Sequence, residues 1–187
     1  MRISLRAHGF TLVELIVTIA IAAILMSIAV PSYQYITTAN RISGEINGLL
    51  GDMQYARSEA IKEGQTVTVC PSNAAGTACV ATNTWSNGWI VFADANNNQT
   101  VDAGEAVLRV RPSFATTNSV DTLTSNAANS VTFNREGFAF SLLGISGVST
   151  AIFSAHNTPT VANYTRCLEL SNTGFLTTVV NGVSGCS

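Results

Sequence analysis

The residues from Phe10 to Val30 form an apolar run of 21 residues that contains a single charged residue, Glu14. As an α-helix this run would be about 31 Å long, which is enough to cross the hydrocarbon core of a bilayer. It follows a short polar leader, residues 1–9, and it ends at Pro31. A short basic leader in front of an unbroken apolar run is typical of a targeting and anchoring segment.

Two common kinds of N-terminal segment explain this run in part. A single-pass anchor accounts for the length and for the positive leader, which would stay in the cytoplasm. A cleaved secretory signal accounts for the small residues Ser27 and Ala29, which flank Ile28 as in a signal-peptidase site. Neither accounts for Glu14, because a charge at mid-bilayer depth costs roughly 2.5–3.5 kcal/mol and still disfavours insertion nearer the interface.

The motif Gly9-Phe10-Thr11-Leu12-Val13-Glu14, followed by the apolar run and Pro31, resembles the class III signal of type IV pilins and pseudopilins. The resemblance implies that a prepilin peptidase cuts between Gly9 and Phe10, that Phe10 is then N-methylated, and that the apolar segment is retained. It also implies that Glu14 neutralises the N-terminal amine of a neighbouring subunit during assembly. Pro31 corresponds to the family's helix-kinking proline.

The composition points to an exported domain with little affinity for nucleic acid. Charged residues make up 11% of the chain, and the part after the anchor is rich in Thr, Asn, Ser, Ala and Gly. Removal of the leader takes away Arg2 and Arg6, which leaves seven basic and eleven acidic residues and a net charge of −4. Nonspecific nucleic-acid binding needs a basic surface, so this balance disfavours it.

All four cysteines lie after the anchor, and an even number in an exported domain indicates disulfides. Three pairings are possible. The nearest-neighbour pairing, Cys70–Cys79 and Cys167–Cys186, closes two short loops and is the one we predict. A zinc site is disfavoured, because the spacings fit no CxxC pair and His156 is the sole histidine of the mature chain.

Periodicity predicts a long helix followed by strands. Beyond Pro31, apolar residues recur every three or four positions, which indicates one stripe of an amphipathic helix that ends near Gly64. The stripe consists of Ile36, Ala39, Ile42, Ile46, Leu49, Met53, Ala56 and Ala60, while Arg41, Glu45 and Asp52 are expected mostly on other faces. Short β-branched and apolar runs separated by turn residues then predict a mostly antiparallel sheet.

The predicted fold class is therefore α+β, with a long kinked N-terminal helix against a mostly antiparallel β-sheet head, as in the pilin fold. The helix would have a membrane half and a half that packs on the head. The expected segments are a leader at 1–9, a transmembrane or filament-core helix at 10–30, an amphipathic helix at 31–64, and a β-rich head at 65–187 that forms one globular domain with 31–64. Residues 116–129 are predicted to form a polar loop or an irregular edge.

The segment from Asp94 to Glu105 has oxygen-bearing side chains at the spacing of a calcium-binding loop. They are Asp94, Asn96, Asn98, Thr100, Asp102 and Glu105. Gln99 stands where such a loop needs glycine, and the flanking residues favour strands rather than helices. The interpretation we favour is an Asx-rich hairpin loop without a cofactor, with calcium as the alternative.

The head resembles the GspH/FimT group of minor pilins. The resemblance rests on Val69-Cys70-Pro71-Ser72, Trp85 to Phe92, Asp94 to Glu105, Phe133 to Gly137 and the segment from Cys167 to Cys186. It implies a minor pilin in the inner membrane of a Gram-negative bacterium, with its head in the periplasm. Its partners would be prepilin peptidase and other major and minor pilins or pseudopilins, in a type IV pilus or, alternatively, as the H component of a type II secretion pseudopilus.

Some relatives of this group bind DNA through a Gly-Arg-x-Arg motif. The matching residues here are Gly174-Phe175-Leu176-Thr177, in which both arginines are absent, so a role as a DNA receptor in transformation is not expected. A membrane-anchored calcium-binding module unrelated to filaments is a further alternative. The sequence also shows no nucleophile elbow, phosphate loop or redox CxxC motif, so we do not expect an enzyme.

We predict that the mature chain begins at N-methylated Phe10. Intact-mass and N-terminal peptide mass spectrometry of the protein extracted from membranes would measure this directly. A chain that begins at Val30, as expected for cleavage after Ala29 by a secretory signal peptidase, would contradict the pilin interpretation.

Overall fold

The computed structural model describes residues 10–113, 121–126, 128–142, 150–158, 160–183 and 185–186. For residues 140–142 it describes the backbone alone. Its longest element is α1, Leu12–Glu63, which contains Pro31. The helix ends where the sequence predicts: Gly64 adopts a φ of +67°, and its N–H donates to the carbonyl of Ala60 over 3.0 Å. This is the left-handed C-terminal cap that glycine favours.

The chain separates into two compact units, Met1–Thr38 and Ala39–Ser187. In the described part of the first unit, every residue from Phe10 to Thr37 is exposed. The apolar part of this stretch has the length and composition of a membrane-spanning helix. Among the described residues, the segment therefore has no apolar partner.

In the second unit, one face of α1 is buried. Ile42, Ile46, Leu49, Met53, Ala56 and Ala60 of the predicted stripe are almost completely inaccessible, whereas Ile36 is 52% exposed. Two carboxylates, Glu45 and Asp52, are also buried on this face. Their burial corrects the expectation that they lie elsewhere, and the reason is that each follows a buried apolar residue by three positions and so lies at the edge of the same stripe.

The strands form two antiparallel sheets, as the fold class predicts. They are β1 Val67–Pro71, β2 Gly88–Ala93, β3 Val107–Pro112, β4 Asp121–Ser125, β5 Val131–Phe133, β6 Ala139–Leu142, β7 Thr150–Asn157, β8 Arg166–Ser171 and β9 Leu176–Val180, with a short 3₁₀ turn at Ala162–Tyr164. The five-stranded sheet has the order β3-β2-β1-β5-β6, and the four-stranded sheet has the order β4-β7-β8-β9. Apolar side chains from both sheets and from the buried face of α1 form one core.

Strand β4 lies within the segment predicted to be a loop or irregular edge, part of which falls outside the described residues. Its alternating burial inserts Asp121, Leu123 and Ser125 into the interior, although only one of these is apolar. The strand was missed because its inward positions are polar, and hydrophobic alternation is the signal that identifies a strand in sequence. It also connects the two sheets, since the Trp85 N–H donates to the Leu123 carbonyl over 2.7 Å.

A second connection between the sheets is made by two turns that meet against Arg57 of α1. Gly137 lies between β5 and β6, and Gly174 lies between β8 and β9, with φ values of +82° and +76°. Arg57 Nη1 donates to the Gly174 carbonyl over 3.1 Å. A Cβ atom at Gly174 would lie 2.2 Å from the Gly137 carbonyl oxygen, so the close approach of the turns requires glycine there.

We expect Gly174→Ala to destabilise the head more than Gly182→Ala. Both glycines have a positive φ, but a Cβ atom at Gly182 would meet no atom within 4 Å. Backbone strain lowers the free energy of unfolding in both variants. At Gly174 the clash of the added Cβ atom lowers it by about a further 1–3 kcal/mol. Equilibrium unfolding of the mature chain in detergent would measure the difference, and equal losses of stability would contradict the role assigned to the turn contact.

Candidate functional site

The N-terminal segment begins with a helix cap on which Glu14 lies. The Thr11 hydroxyl accepts a hydrogen bond from the Glu14 N–H over 3.2 Å, and the Thr11 carbonyl accepts one from the Leu15 N–H. Threonine at the cap and glutamate three residues later form the sequence pattern of a capping box. This pattern is a signal from which the start of the helix could have been predicted. The cap starts α1 immediately after Phe10 and places the Glu14 carboxylate in the first turn, where the helix dipole favours negative charge.

The surface of this segment fits lateral packing against other apolar helices or lipid. Among residues 10–30, side chains of Leu, Ile, Val and Met are exposed by about half or more. Gly9 and the rest of the leader lie outside the described residues. Pro31 lies inside α1, and the kink predicted at this position stays a prediction.

On the head, the buried carboxylate of Asp52 joins α1 to two strands. Its Oδ2 atom accepts from Trp89 Nε1 at 2.9 Å and from Arg111 Nε at 3.2 Å, and its Oδ1 atom accepts from Arg109 Nη1 at 3.1 Å. The Arg109 guanidinium also lies 3.6 Å from the centre of the Tyr55 ring. Both arginines are about half exposed, so the cluster carries positive charge to the surface while the carboxylate remains inside.

Two buried acidic side chains, Glu45 of α1 and Asp121 of β4, lie beside each other. Asp121 accepts hydrogen bonds from Nε and Nη2 of Arg41. Glu45 is 8% exposed, and neither of its carboxylate oxygens has a hydrogen-bond partner among the described residues. The pKa of Glu45 is raised to about 8, mainly by burial and next by the adjacent Asp121 carboxylate, while Arg41 acts to lower it. Glu45 is therefore largely protonated at neutral pH, which avoids two adjacent buried charges.

The loop between β2 and β3 is organised by its own hydrogen bonds. Asp94 is completely buried and accepts from the N–H groups of Asn98 and Gln99. The amides of Asn96 and Asn98 donate to Asp102 and lower its pKa. The Glu105 carboxylate accepts from the N–H groups of Ala95 and Asp102.

This geometry is that of an Asx-rich turn. Asn97 and Gln99 have φ values near +60°, a conformation that Asn tolerates and that is uncommon for Gln. In the described part of the chain, no three His, Cys, Asp or Glu side chains converge as metal ligands would. Five of the six side chains proposed as calcium ligands thus accept hydrogen bonds within the loop through their oxygen atoms, and the sixth, Thr100, donates one to the Asn98 carbonyl. Calcium binding stays an untested alternative, and a rise in melting temperature on adding CaCl₂ would be its signature.

Comparison with known proteins identifies the family. The model of the family described as "Type II transport protein GspH" matches residues 45–174, which is most of the chain. The chain belongs to the GspH family. A second family model, described as the "Prokaryotic N-terminal methylation motif", matches residues 4–30 and so covers most of the leader, Glu14 and the apolar run.

Relatives of this GspH-family chain include a fimbrial protein and a minor pilin. The fimbrial protein EcpC of Eikenella corrodens is 36% identical over 89 residues, which are 48% of this chain and 57% of EcpC. The alignment thus spans little more than half of that relative. The crystal structure of the type IV minor pilin FimU of Pseudomonas aeruginosa superimposes with a TM-score of 0.56 at 18% identity, over 76% of this chain and 90% of FimU. This likeness shows that the GspH-family head has the pilin fold.

The two disulfides of the GspH-family head have the nearest-neighbour pairing. Cys70 of β1 is bonded to Cys79 with a Cα–Cα distance of 5.6 Å, and Cys167 of β8 is bonded to Cys186 at 5.8 Å. The first bond covers Ile90 and Phe92 on the outer face of the five-stranded sheet, and the second holds the C-terminal segment to β8. Both therefore secure short segments that bury little apolar area of their own.

The turn that corresponds to the DNA-binding motif of some relatives presents no cation in the GspH-family head. Phe175 is 66% exposed at the position of the first arginine, and Thr177 occupies the second. The hairpin between β8 and β9 is present, so the charges are missing while the backbone is kept. Because phosphate contacts dominate affinity for DNA, the expectation of negligible DNA binding stands as a prediction.

We predict that the head loses stability as the pH rises towards 8. The folded-state pKa of Glu45 lies above its unfolded value of 4.5, so folding takes up a proton between these values. The stabilisation is complete below pH 4.5 and is lost as the pH rises through 8. Glu45→Gln should therefore reduce the fall in melting temperature between pH 6 and pH 9.

Glu59→Gln is the matched control, because Glu59 lies on the same helix and pairs with exposed Lys62. It should retain the fall in melting temperature shown by the wild type. Differential scanning calorimetry of the three mature chains at both pH values gives the comparison. If Glu45→Gln and wild type show the same pH dependence, Glu45 does not titrate in this range.

Proposed function

We propose that this GspH-family protein is a minor pilin of a type IV pilus. It would be processed by prepilin peptidase, anchored in the inner membrane by residues 10–30, and incorporated into the filament with its head outside the membrane. The observation that carries the proposal is the combination of a pilin-fold head with a helix segment whose apolar side chains are all exposed. Such a segment needs either lipid or other apolar helices around it.

The N-terminal carboxylate supplies the assembly step in this proposal. Glu14 lies in the first turn of α1, next to the residue that becomes the amino terminus after cleavage at Gly9. A carboxylate in an apolar bundle is costly unless it meets an opposite charge. The methylated amine of Phe10 in a neighbouring subunit is such a charge, and their pairing would set the axial register between subunits. A buried ion pair is better suited to fixing register than to adding net stability.

The three names among the comparisons point to two different machines. The family description refers to type II transport, whereas EcpC is called a fimbrial protein and FimU a type IV minor pilin. The pilus is the assignment that we favour, because one named relative is called a fimbrial protein and the other a type IV minor pilin. Other pilins would be its partners. Incorporation into a secretion pseudopilus is the second candidate, with pseudopilins as partners.

We expect Glu14→Ala to reduce the amount of this protein in sheared filaments by about tenfold or more, because an unpaired amine would be left in the filament core. Its amount in the membrane and its melting temperature should not change. Immunoblots of the sheared and membrane fractions measure both. Glu59→Ala removes a half-buried carboxylate that pairs with Lys62 in the head part of the same helix, and this control should leave incorporation unchanged.

Equal incorporation of Glu14→Ala and wild type would refute the register role. If wild type itself is absent from sheared pili, and its deletion blocks protein secretion while pili are still made, the pseudopilus is the correct assignment.

A further inference from the structure

The four outer edges of the two sheets differ in how they are covered. The β4 edge is paired with residues 83–86, through hydrogen bonds such as Ser125 N–H to the Asn83 carbonyl at 2.9 Å. The β6 edge meets the turn before β9, where the Ala139 N–H donates to the Asn172 carbonyl. Within the described residues, no other strand or loop pairs with the outer sides of β3 and β9, although the Val180 carbonyl at the end of β9 accepts a local turn hydrogen bond from the Val183 N–H. These two strands are the open edges of the head.

Strand β3 carries several features that block edge-to-edge pairing. It has arginines at 109 and 111, it ends in Pro112, and its pairing with β2 shifts register at Val91/Phe92. Charged side chains, proline and bulges are the usual means by which proteins protect an exposed edge. We therefore do not expect β3 to accept another strand.

Strand β9 has none of these features. Its sequence is Leu-Thr-Thr-Val-Val, it contains no charge, proline or glycine, and its pairing with β8 is regular throughout. β-Branched residues are those that favour strand formation. An exposed, regular and uncharged edge of this kind is a template for the addition of a further strand.

A groove with a positive side chain lies beside this edge. It has a volume of about 250 Å³ and is lined by Ser43, Ile46 and Asn47 of α1, by Arg166 of β8 and by Thr178–Val180 of β9. Arg166 lies opposite Val180 in the sheet, and its Nη1 donates to the carbonyls of Asn163 and Thr165. No ion pair among the described residues involves Arg166. The groove therefore offers a guanidinium to a carboxylate from outside.

We propose that the β9 edge and this groove bind an extended segment of a different pilin subunit, β-branched in sequence and carrying a carboxylate that meets Arg166. The segment adds to β9 as a fifth strand of the four-stranded sheet. A second copy of this chain is a poorer occupant, because its own β9 supplies no carboxylate and the mature chains carry a net charge of −4. The proposal rests on the proposed function in that the partner is a filament subunit.

The first test is a pair of matched lysine substitutions in the full chain, produced in cells that assemble filaments. Val180 of β9 and Val110 of β3 are 52% and 54% exposed, so the two sites differ in edge and not in exposure. Val180→Lys should reduce incorporation into filaments by about tenfold or more, while Val110→Lys should stay within about twofold of wild type. Wild-type incorporation of Val180→Lys would overturn the proposal.

Val180 lies opposite Arg166, so lysine there adds a repulsion that can lower stability. Melting temperatures of the purified full chains in detergent detect this. Thr178→Lys, which lies opposite Leu168, is the second variant and should show the same loss of incorporation with an unchanged melting temperature. If Thr178→Lys incorporates as wild type does, the edge is not used.

The second test identifies the occupant. Benzoylphenylalanine in place of Thr178 should give, on irradiation of intact cells, one discrete adduct with another subunit, whose cross-linked peptide is β-branched and contains Asp or Glu. The same residue in place of Val110 should give no such adduct. An adduct with a second copy of this chain, or none at position 178, contradicts the proposal. An adduct with a pseudopilin keeps the strand addition and refutes the pilus assignment, which separates the two claims.

The role of Arg166 is tested by substitutions that remove or keep its positive charge. Arg166→Gln should reduce the yield of the Thr178 adduct by about fivefold or more, and Arg166→Lys should restore part of it, because the pairing requires a cation. An adduct yield that is the same for Arg166→Gln and wild type would show that no carboxylate meets Arg166.

Discussion

The Asp52 carboxylate is the contact on which the attachment of α1 to the five-stranded sheet depends. It is nearly inaccessible to water, and three donors from β2 and β3 converge on it. Trp89 and Arg111 are direct cross-strand partners, so one carboxylate fixes both the rotation of the helix and the register of these strands. A buried carboxylate is tolerated only when its hydrogen-bonding capacity is satisfied, and any shift of helix or strand would leave this charge unpaired. The apolar stripe provides the area that α1 buries against the sheet, and Asp52 determines which rotation of the helix and which strand register are adopted.

The features that sequence patterns encode strongly were predicted correctly. These include the helix end at Gly64, the α+β class with antiparallel strands, and burial of the stripe from Ile42 to Ala60. The patterns failed where polar residues enter the interior. Glu45 and Asp52 were assigned to other faces because a charged residue is by default a surface residue. Asp52 is buried because donors from β2 and β3 meet it, and Glu45 is buried in its protonated form beside Asp121. Strand β4 was missed for the same reason, since Asp121 faces inward only because Arg41 of α1 meets it.

The candidate functional residues likewise divide into those that a sequence pattern indicates and those that depend on the fold. The roles of Glu14 and Pro31 and the cleavage position after Gly9 stay predictions, which rest on one short sequence motif. The disulfide pairing followed from local spacing. The open edge of β9 was not predictable, because it depends on strand order in the two sheets and on which edges other segments cover. The head thus combines a closed core with an open edge at β9 that carries no protective charge, proline or bulge. The N-terminal part of α1 has no apolar partner among the described residues, as expected for a subunit completed by its neighbours.

The equilibrium unfolding of Asp52→Asn tests most directly whether this carboxylate holds the helix on the sheet. Trp85 and Trp89 are both buried, so their fluorescence reports the loss of the core. Asparagine keeps the shape but removes the charge that the two arginines meet. The mature chain should lose about 2 kcal/mol or more of unfolding free energy, against less than about 0.5 kcal/mol for the control Glu59→Gln, whose carboxylate pairs with exposed Lys62. Equal stability of the two variants would show that the apolar stripe alone determines how the helix and the sheet are joined.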